Sequence, residues 1–169
     1  WVAPLAASQT PVDFVIVGFG LAYGALAEDS DQVMLDLKAK GWGADVLAHA
    51  REITDVTGAF IASHGGAGFD GLEAMRAKYG AESWFADIKG EFTGFLLNTP
   101  NAQITAMASV LDAGTSWDYD PLPVLSSLDT PMLWIQAQDD IGAPPDATRQ
   151  RLIDLAAQGR PITLLEYPD

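Results

Sequence analysis

Apolar residues crowd into short runs at both ends of this chain and fall at helical spacing in between. Near the start, Asp13-Phe-Val-Ile-Val-Gly18 is a continuous apolar run after Pro11, a pattern that predicts a strand buried on both faces. Ahead of it, residues 1–8 are apolar and alanine-rich and read as helix, with Pro4 suited only to the first turn. From about Glu28 to Tyr79 the period changes. Met34, Leu35 and Leu37, then Val46 and Leu47, then Ile53, Val56, Phe60 and Ile61 recur at helical spacing. Glycines at 41, 43, 58, 65, 66, 68 and 71 cut this stretch into short helices. Residues 81–95, carrying Trp84, Phe85, Ile88, Phe92 and Phe95, predict a further helix, and Asn101–Leu111 another after Pro100.

The texture then reverts. Trp117-Asp-Tyr-Asp-Pro-Leu-Pro123 is a turn-rich connection, and Pro131-Met-Leu-Trp-Ile-Gln136 predicts a second buried strand. Pro144-Pro145-Asp146 opens a helix whose apolar stripe is Thr148, Leu152, Ile153, Leu155 and Ala156. Gly159 ends that helix with Arg160 beside its C-terminal dipole, and Pro161-Ile-Thr-Leu-Leu-Glu-Tyr167 predicts a third strand. Strand, helix and strand joined by short loops make a parallel crossover. The expected fold class is α/β: three parallel strands with flanking helices and a helical insertion. Residues 1–27 and 112–169 form the expected core, and 28–111 the insertion, near the size of a small domain.

Composition narrows the function classes. With 49% hydrophobic and 19% charged residues, the 169-residue chain is not of the disordered type. Nine Lys and Arg against 23 Asp and Glu give a net charge of −14, which opposes binding to nucleic acid and to anionic membranes. No apolar run is long enough to span a bilayer. The absence of cysteine excludes a disulfide framework, a thiolate zinc site and a Cys nucleophile, and leaves the compartment open. Two histidines and no cysteine make a transition-metal site unexpected, and no cofactor is expected.

The chemistry-bearing stretch is the loop after the second strand, Gln136-Ala-Gln-Asp-Asp-Ile-Gly-Ala-Pro-Pro145. Functional groups of parallel sheets gather outside the carboxyl ends of the strands. Two adjacent carboxylates on a loop stiffened by two prolines can orient a base. The alternative is that one caps the following helix or turn while the other is solvated.

Pro131 to Pro145 resembles the strand and loop of α/β-hydrolases that deliver the acid of a Ser-Asp-His triad. That pattern reads apolar strand, Gly-x-x-Asp, two residues, a small residue and Pro. On this chain its acid falls on Asp140 and its Pro on Pro144, with Ala137 at the Gly position and Asp139 at the variable position before the acid. Trp1-Val-Ala-Pro-Leu-Ala-Ala7 is similar to the helix that follows the nucleophile elbow. Phe14 to Gly20 is similar to the next strand, and Asp118 to Pro123 to the approach to the acid strand. The likeness is nearest to prolyl-oligopeptidase-like and dienelactone-hydrolase-like members, and it covers both ends better than the middle. It implies a serine hydrolase of a small-molecule ester, thioester or peptide, with Asp140 as the catalytic acid. It also implies a fragment. The chain holds no Gly-x-Ser-x-Gly, its only histidines, His49 and His64, precede Asp140, and both ends read as cuts. On this reading the chain alone is expected to be inactive.

Three other features compete. Gly18-Phe-Gly-Leu-Ala-Tyr-Gly24 imitates a dinucleotide-binding turn, with Val33-Met-Leu-Asp36 as a nominal second strand ending in an acid. The spacing is too short for a crossover helix. Ser63-His64-Gly-Gly-Ala-Gly68 imitates an oxyanion-hole His-Gly-Gly but falls inside the insertion, where a loop of the cap is expected. His49 lies among helical residues and is expected at or near the surface. The aromatics at 42, 84, 85, 92 and 95 are expected to form the insertion's core, with some roofing the site. A Rossmann-like nucleotide-binding module and a non-catalytic α/β interaction domain remain the alternatives from other classes.

Overall fold

The computed structural model describes residues 1–111, 114–140 and 142–168. Ile141 of the acid loop, the expected boundary at 112 and the last residue, Asp169, lie outside the described residues. The chain divides into two compact units, Trp1–Glu28 with Tyr119–Asp169, and Asp29–Asp118.

The first unit is built on a three-stranded parallel sheet in the order β1-β2-β3, comprising β1 (Val15–Gly18), β2 (Met132–Ala137) and β3 (Ile162–Tyr167). Val15 pairs with Met132 and Met132 with Ile162, so side chains of like parity share a face across all three strands. On one face Val15, Val17, Met132 and Trp134 join Leu125, Leu128, Leu152 and Leu155 in a single apolar core. Those leucines come from α7 (Leu122–Ser127) and its end and from α8 (Pro145–Ala157); α1 (Val2–Gln9) adds Ala7. Pro4 sits in the first turn of α1, where its missing N–H costs nothing. Pro145 opens α8 for the same reason.

The apolar run at the start of the chain is not buried on both faces. Val15 and Val17 are 6% and 8% exposed, whereas Phe14 and Ile16 are 63% and 55% exposed. A continuous β-branched run reports that a strand can be covered twice; coverage itself needs a second layer against Ile16, Leu165 and Tyr167, which stay open to solvent.

The second unit is helical among its described residues. It contains most of α2 (Ala25–Ala39), then α3 (Ala44–Ala62), α4 (Asp70–Tyr79), a 3-10 turn at Phe85–Asp87, α5 (Thr93–Asn98) and α6 (Asn101–Leu111). Val33 and Leu37 of α2, Val46, Ala50 and Ile53 of α3, and Met75 and Tyr79 of α4 close on Trp84, Ile88 and Leu97. Trp84 is thus core, Trp42 and Phe85 pack against it, and Phe95 is 36% exposed.

The expected helix over 81–95 is broken. Ile88 is extended and Gly90 has φ +69°, so the chain turns before α5 begins. The cause is Asp29, only 4% exposed. Its carboxylate accepts hydrogen bonds from Phe92 N at 2.7 Å, Thr93 N at 3.2 Å and Thr93 Oγ1 at 2.6 Å. It therefore caps a new helix from another element, where the dipole favours negative charge. At the opposite end of α5, Arg76 of α4 donates to the carbonyls of Leu96 (2.5 Å), Leu97 (3.1 Å) and Thr99 (2.9 Å). A buried hydroxyl chain continues from Thr93 to Thr57 at 2.7 Å, and Ser30 meets Thr54 at 2.8 Å.

Candidate functional site

The acid loop grows directly from the central strand. Gln138 N donates to Tyr167 O at 3.0 Å, one residue past β2, before the chain turns and reaches Asp140. Asp140 is half-buried and Asp139 is exposed. Asp140 Oδ1 accepts from Gly142 N at 3.0 Å and Ala143 N at 2.9 Å. This turn, followed by Pro144 and by Pro145 in the first turn of α8, fixes the carboxyl group relative to the sheet edge. Among the described residues none donates to Oδ2, so one carboxylate oxygen is held and the other is available. That is the disposition an acid needs to hold an imidazole N–H.

Beside the loop, β1 ends in an unusual backbone. Phe19 N donates to Ile135 O at 2.8 Å, yet Phe19 has φ +53° and its ring is 59% exposed. A non-glycine residue in this region is uncommon and carries strain. Gly20 follows because a Cβ there would lie 2.4 Å from Val17 Cγ1. The chain is then tied to α8: Ala22 N donates to Thr148 Oγ1 at 3.0 Å, and Arg151 Nη1 donates to Ala22 O at 2.8 Å and Asp120 Oδ1 at 2.7 Å. Phe19, Gly20, Gln136, Asp140, Ala143 and Thr148 line a shared small cavity at the carboxyl end of the sheet. Glu166, paired in register with Gln136, accepts from Arg149 Nε at 2.5 Å. This carboxylate, with Asp146, pushes the Arg149 guanidinium up from its ordinary value.

Of the residues singled out in the sequence, Asp140 stands at this edge. Asp139, exposed, is not among the residues lining the cavity. His49 is exposed, its ring 5.0 Å from that of Tyr79 and 6.0 Å from that of Trp84 in the helical unit. The Ser63–Gly68 loop is a helix end. His64, Gly65, Gly66 and Gly68 donate their N–H groups to Ile61, Phe60, Ser63 and Gly65 carbonyls, and Ala67 N donates to Ser63 Oγ. Amides spent in this way cannot receive an oxyanion. Val33–Asp36 lies inside α2 rather than in a strand, which removes the second strand of the dinucleotide-binding reading. Among the described residues no group of three or more His, Asp or Glu could hold a metal ion.

Two site residues escaped the sequence reading. Gln136 is 5% exposed and Thr148 0%, and both face the cavity region as lining residues. The signal for Gln136 was present, a polar residue at the third inward position after Met132 and Trp134. Thr148 was absorbed into an apolar stripe. Nothing in the sequence marks Phe19 as strained.

No family model and no curated protein matches the chain. Among solved structures, the crystal structure of esterase E22 is similar, with 16% identity and a TM-score of 0.39. The likeness covers 99% of this chain and 51% of that one, so the chain spans about half its length. The α/β fold rests on the parallel sheet and its helices, independently of that likeness.

Proposed function

We propose that this chain is the acid-bearing part of a serine hydrolase that cleaves an ester, thioester or peptide bond. Asp140 is the acid. The observation that carries the reading is the pinned Asp140 carboxylate at the end of the central parallel strand, with two backbone N–H groups on Oδ1 and, among the described residues, no donor to Oδ2. In the proposed mechanism Oδ2 accepts the N–H of a histidine, fixes its tautomer and stabilises the imidazolium formed when that histidine takes the proton of a serine. The serine and that histidine lie outside these 169 residues, since no Gly-x-Ser-x-Gly is present and both histidines precede the acid. The role of cap is assigned to the helical insertion.

The test is made on the protein encoded with its flanking sequence, assayed on short-chain nitrophenyl esters. Asp140→Asn keeps an oxygen for the two backbone N–H groups, so circular dichroism should be unchanged while turnover falls by up to ~10⁴-fold. Asp139→Asn should be nearly silent. A crippling Asp139→Asn with a mild Asp140→Asn overturns the assignment. So does a full-length sequence lacking an elbow serine before Trp1 and a histidine after Asp169. Residues 1–169 alone should show no turnover that a serine-directed phosphonate abolishes.

A further inference from the structure

One of the residues lining the cavity at the carboxyl end of the sheet, Gln136, carries a polar atom that the described protein groups leave unanswered. Gln136 is 5% exposed, and its Oε1 accepts no hydrogen bond among the described residues. Buried oxygens of this kind are nearly always answered by protein or by ordered water, because leaving one unmet forfeits its hydration. Thr148, fully buried, lines the same cavity. Its Oγ1 accepts from Ala22 N at 3.0 Å, so its own hydroxyl proton must be given elsewhere. Among the described residues, a hydroxyl proton given to no acceptor and an oxygen met by no donor thus belong to two residues that line one cavity. The cavity volume is ≈ 10 Å³, about what a single water requires.

We propose that one buried water occupies this cavity, accepting the Thr148 hydroxyl proton and donating to Gln136 Oε1. Asp140 is among the cavity walls and is the third polar group, within the two to four partners that buried waters usually have. The water joins the central strand to the first turn of α8 and so seats Asp140 between them. Gln136 and Thr148 are then positioning residues for Asp140, acting through solvent. This concerns how the loop is held and stands whichever chemistry Asp140 serves.

The experiment uses the 169-residue chain. A crystal structure should place a water within about 2.6–3.2 Å of both Gln136 Oε1 and Thr148 Oγ1. Oxygen-17 relaxation dispersion should show a long-lived water in the wild type that Gln136→Met loses. Amide exchange at Gly142 and Ala143, whose N–H groups hold Asp140, reads the seating. Gln136→Met and Thr148→Val should each speed that exchange about ten-fold, and the double variant little more than either. Independent effects would instead multiply to about a hundred-fold. The lost Ala22 bond is common to both arms that carry Thr148→Val and cancels from the coupling. Thr148→Ser, which keeps the hydroxyl, should behave as wild type. A dry cavity, a protein donor on Oε1, or multiplicative single effects would each overturn the proposal, and the wild-type measurements decide it even if a variant fails to fold.

Discussion

Arg76→Met should loosen α5 from the helical unit. The helix has six residues, well below the ~12–15 that an isolated helix needs, so its stability is borrowed from its surroundings. Part comes from burial of Leu96 and Leu97, 1% and 6% exposed. The rest is electrostatic. Arg76 donates four hydrogen bonds, three to carbonyls at the C-terminal end of α5 and one to Asn101 Oδ1 at 2.7 Å. Charged hydrogen bonds contribute about 1.5–3 kcal/mol each, but the four share one side chain that is only half-buried, so water answers part of the loss. A net cost of about 3–4 kcal/mol is expected, near the upper end for a single substitution. Arg76→Lys keeps the charge without the planar fork and should cost about half as much. Residue-resolved amide exchange is the assay, since it separates the helical unit from the sheet. Exchange in α5 should speed by roughly 100-fold or more in Arg76→Met, while β2 is unaffected. A cost below about 1 kcal/mol, or equal acceleration in β2, would refute the idea that this guanidinium holds α5.

Gly90→Ala should cost about 2–4 kcal/mol by urea denaturation, because φ is +69° and the new Cβ would lie 2.6 Å from Asp29 Oδ1 and 2.7 Å from Val33 Cγ2. Gly41→Ala, at φ +85° with nothing within 4 Å, should cost only about 1 kcal/mol of backbone strain; equal costs would show that the Asp29 contact is unimportant. Burial raises the Asp36 carboxyl above its ordinary 3.8, more than Lys40 and Lys89 lower it. The folded state therefore disfavours the ionised form, and Asp36→Asn should be the more stable variant at neutral pH, with the advantage disappearing as pH falls below 3.8. A pH-independent difference in melting temperature would contradict this. Exposed Phe14, Ile16, Leu165 and Tyr167 on a short edge strand and its sheet face should drive self-association once salt screens the −14 charge. Light scattering should show growth with salt that Ile16→Lys suppresses, and a monodisperse wild-type monomer in high salt would contradict the argument.

The sequence by itself determined the strands, most of the helices and the acid loop, because each is set by short-range patterns. Short apolar runs between prolines and glycines placed β1, β2 and β3, and helical spacing placed α3. The doubled proline after a small residue marked where α8 starts, while the choice of Asp140 over Asp139 came from the family resemblance and not from the local pattern. Tertiary structure decided what depends on groups far apart in the chain. Residues 81–95 have helical spacing, yet Asp29, some sixty positions earlier, takes the N–H groups of Phe92 and Thr93 and starts the helix late. No local pattern carries that information. Phe14 and Ile16 are as apolar as Val15 and Val17, and only the packing of α1, α7 and α8 against one face decides which pair is buried. Gln136 and Thr148 are unremarkable apart; they gain a shared role because β2 and α8 bring their side chains to one small cavity. A period along the chain reports which residues can share a face, whereas a hydrogen bond or a cavity exists only once two faces meet.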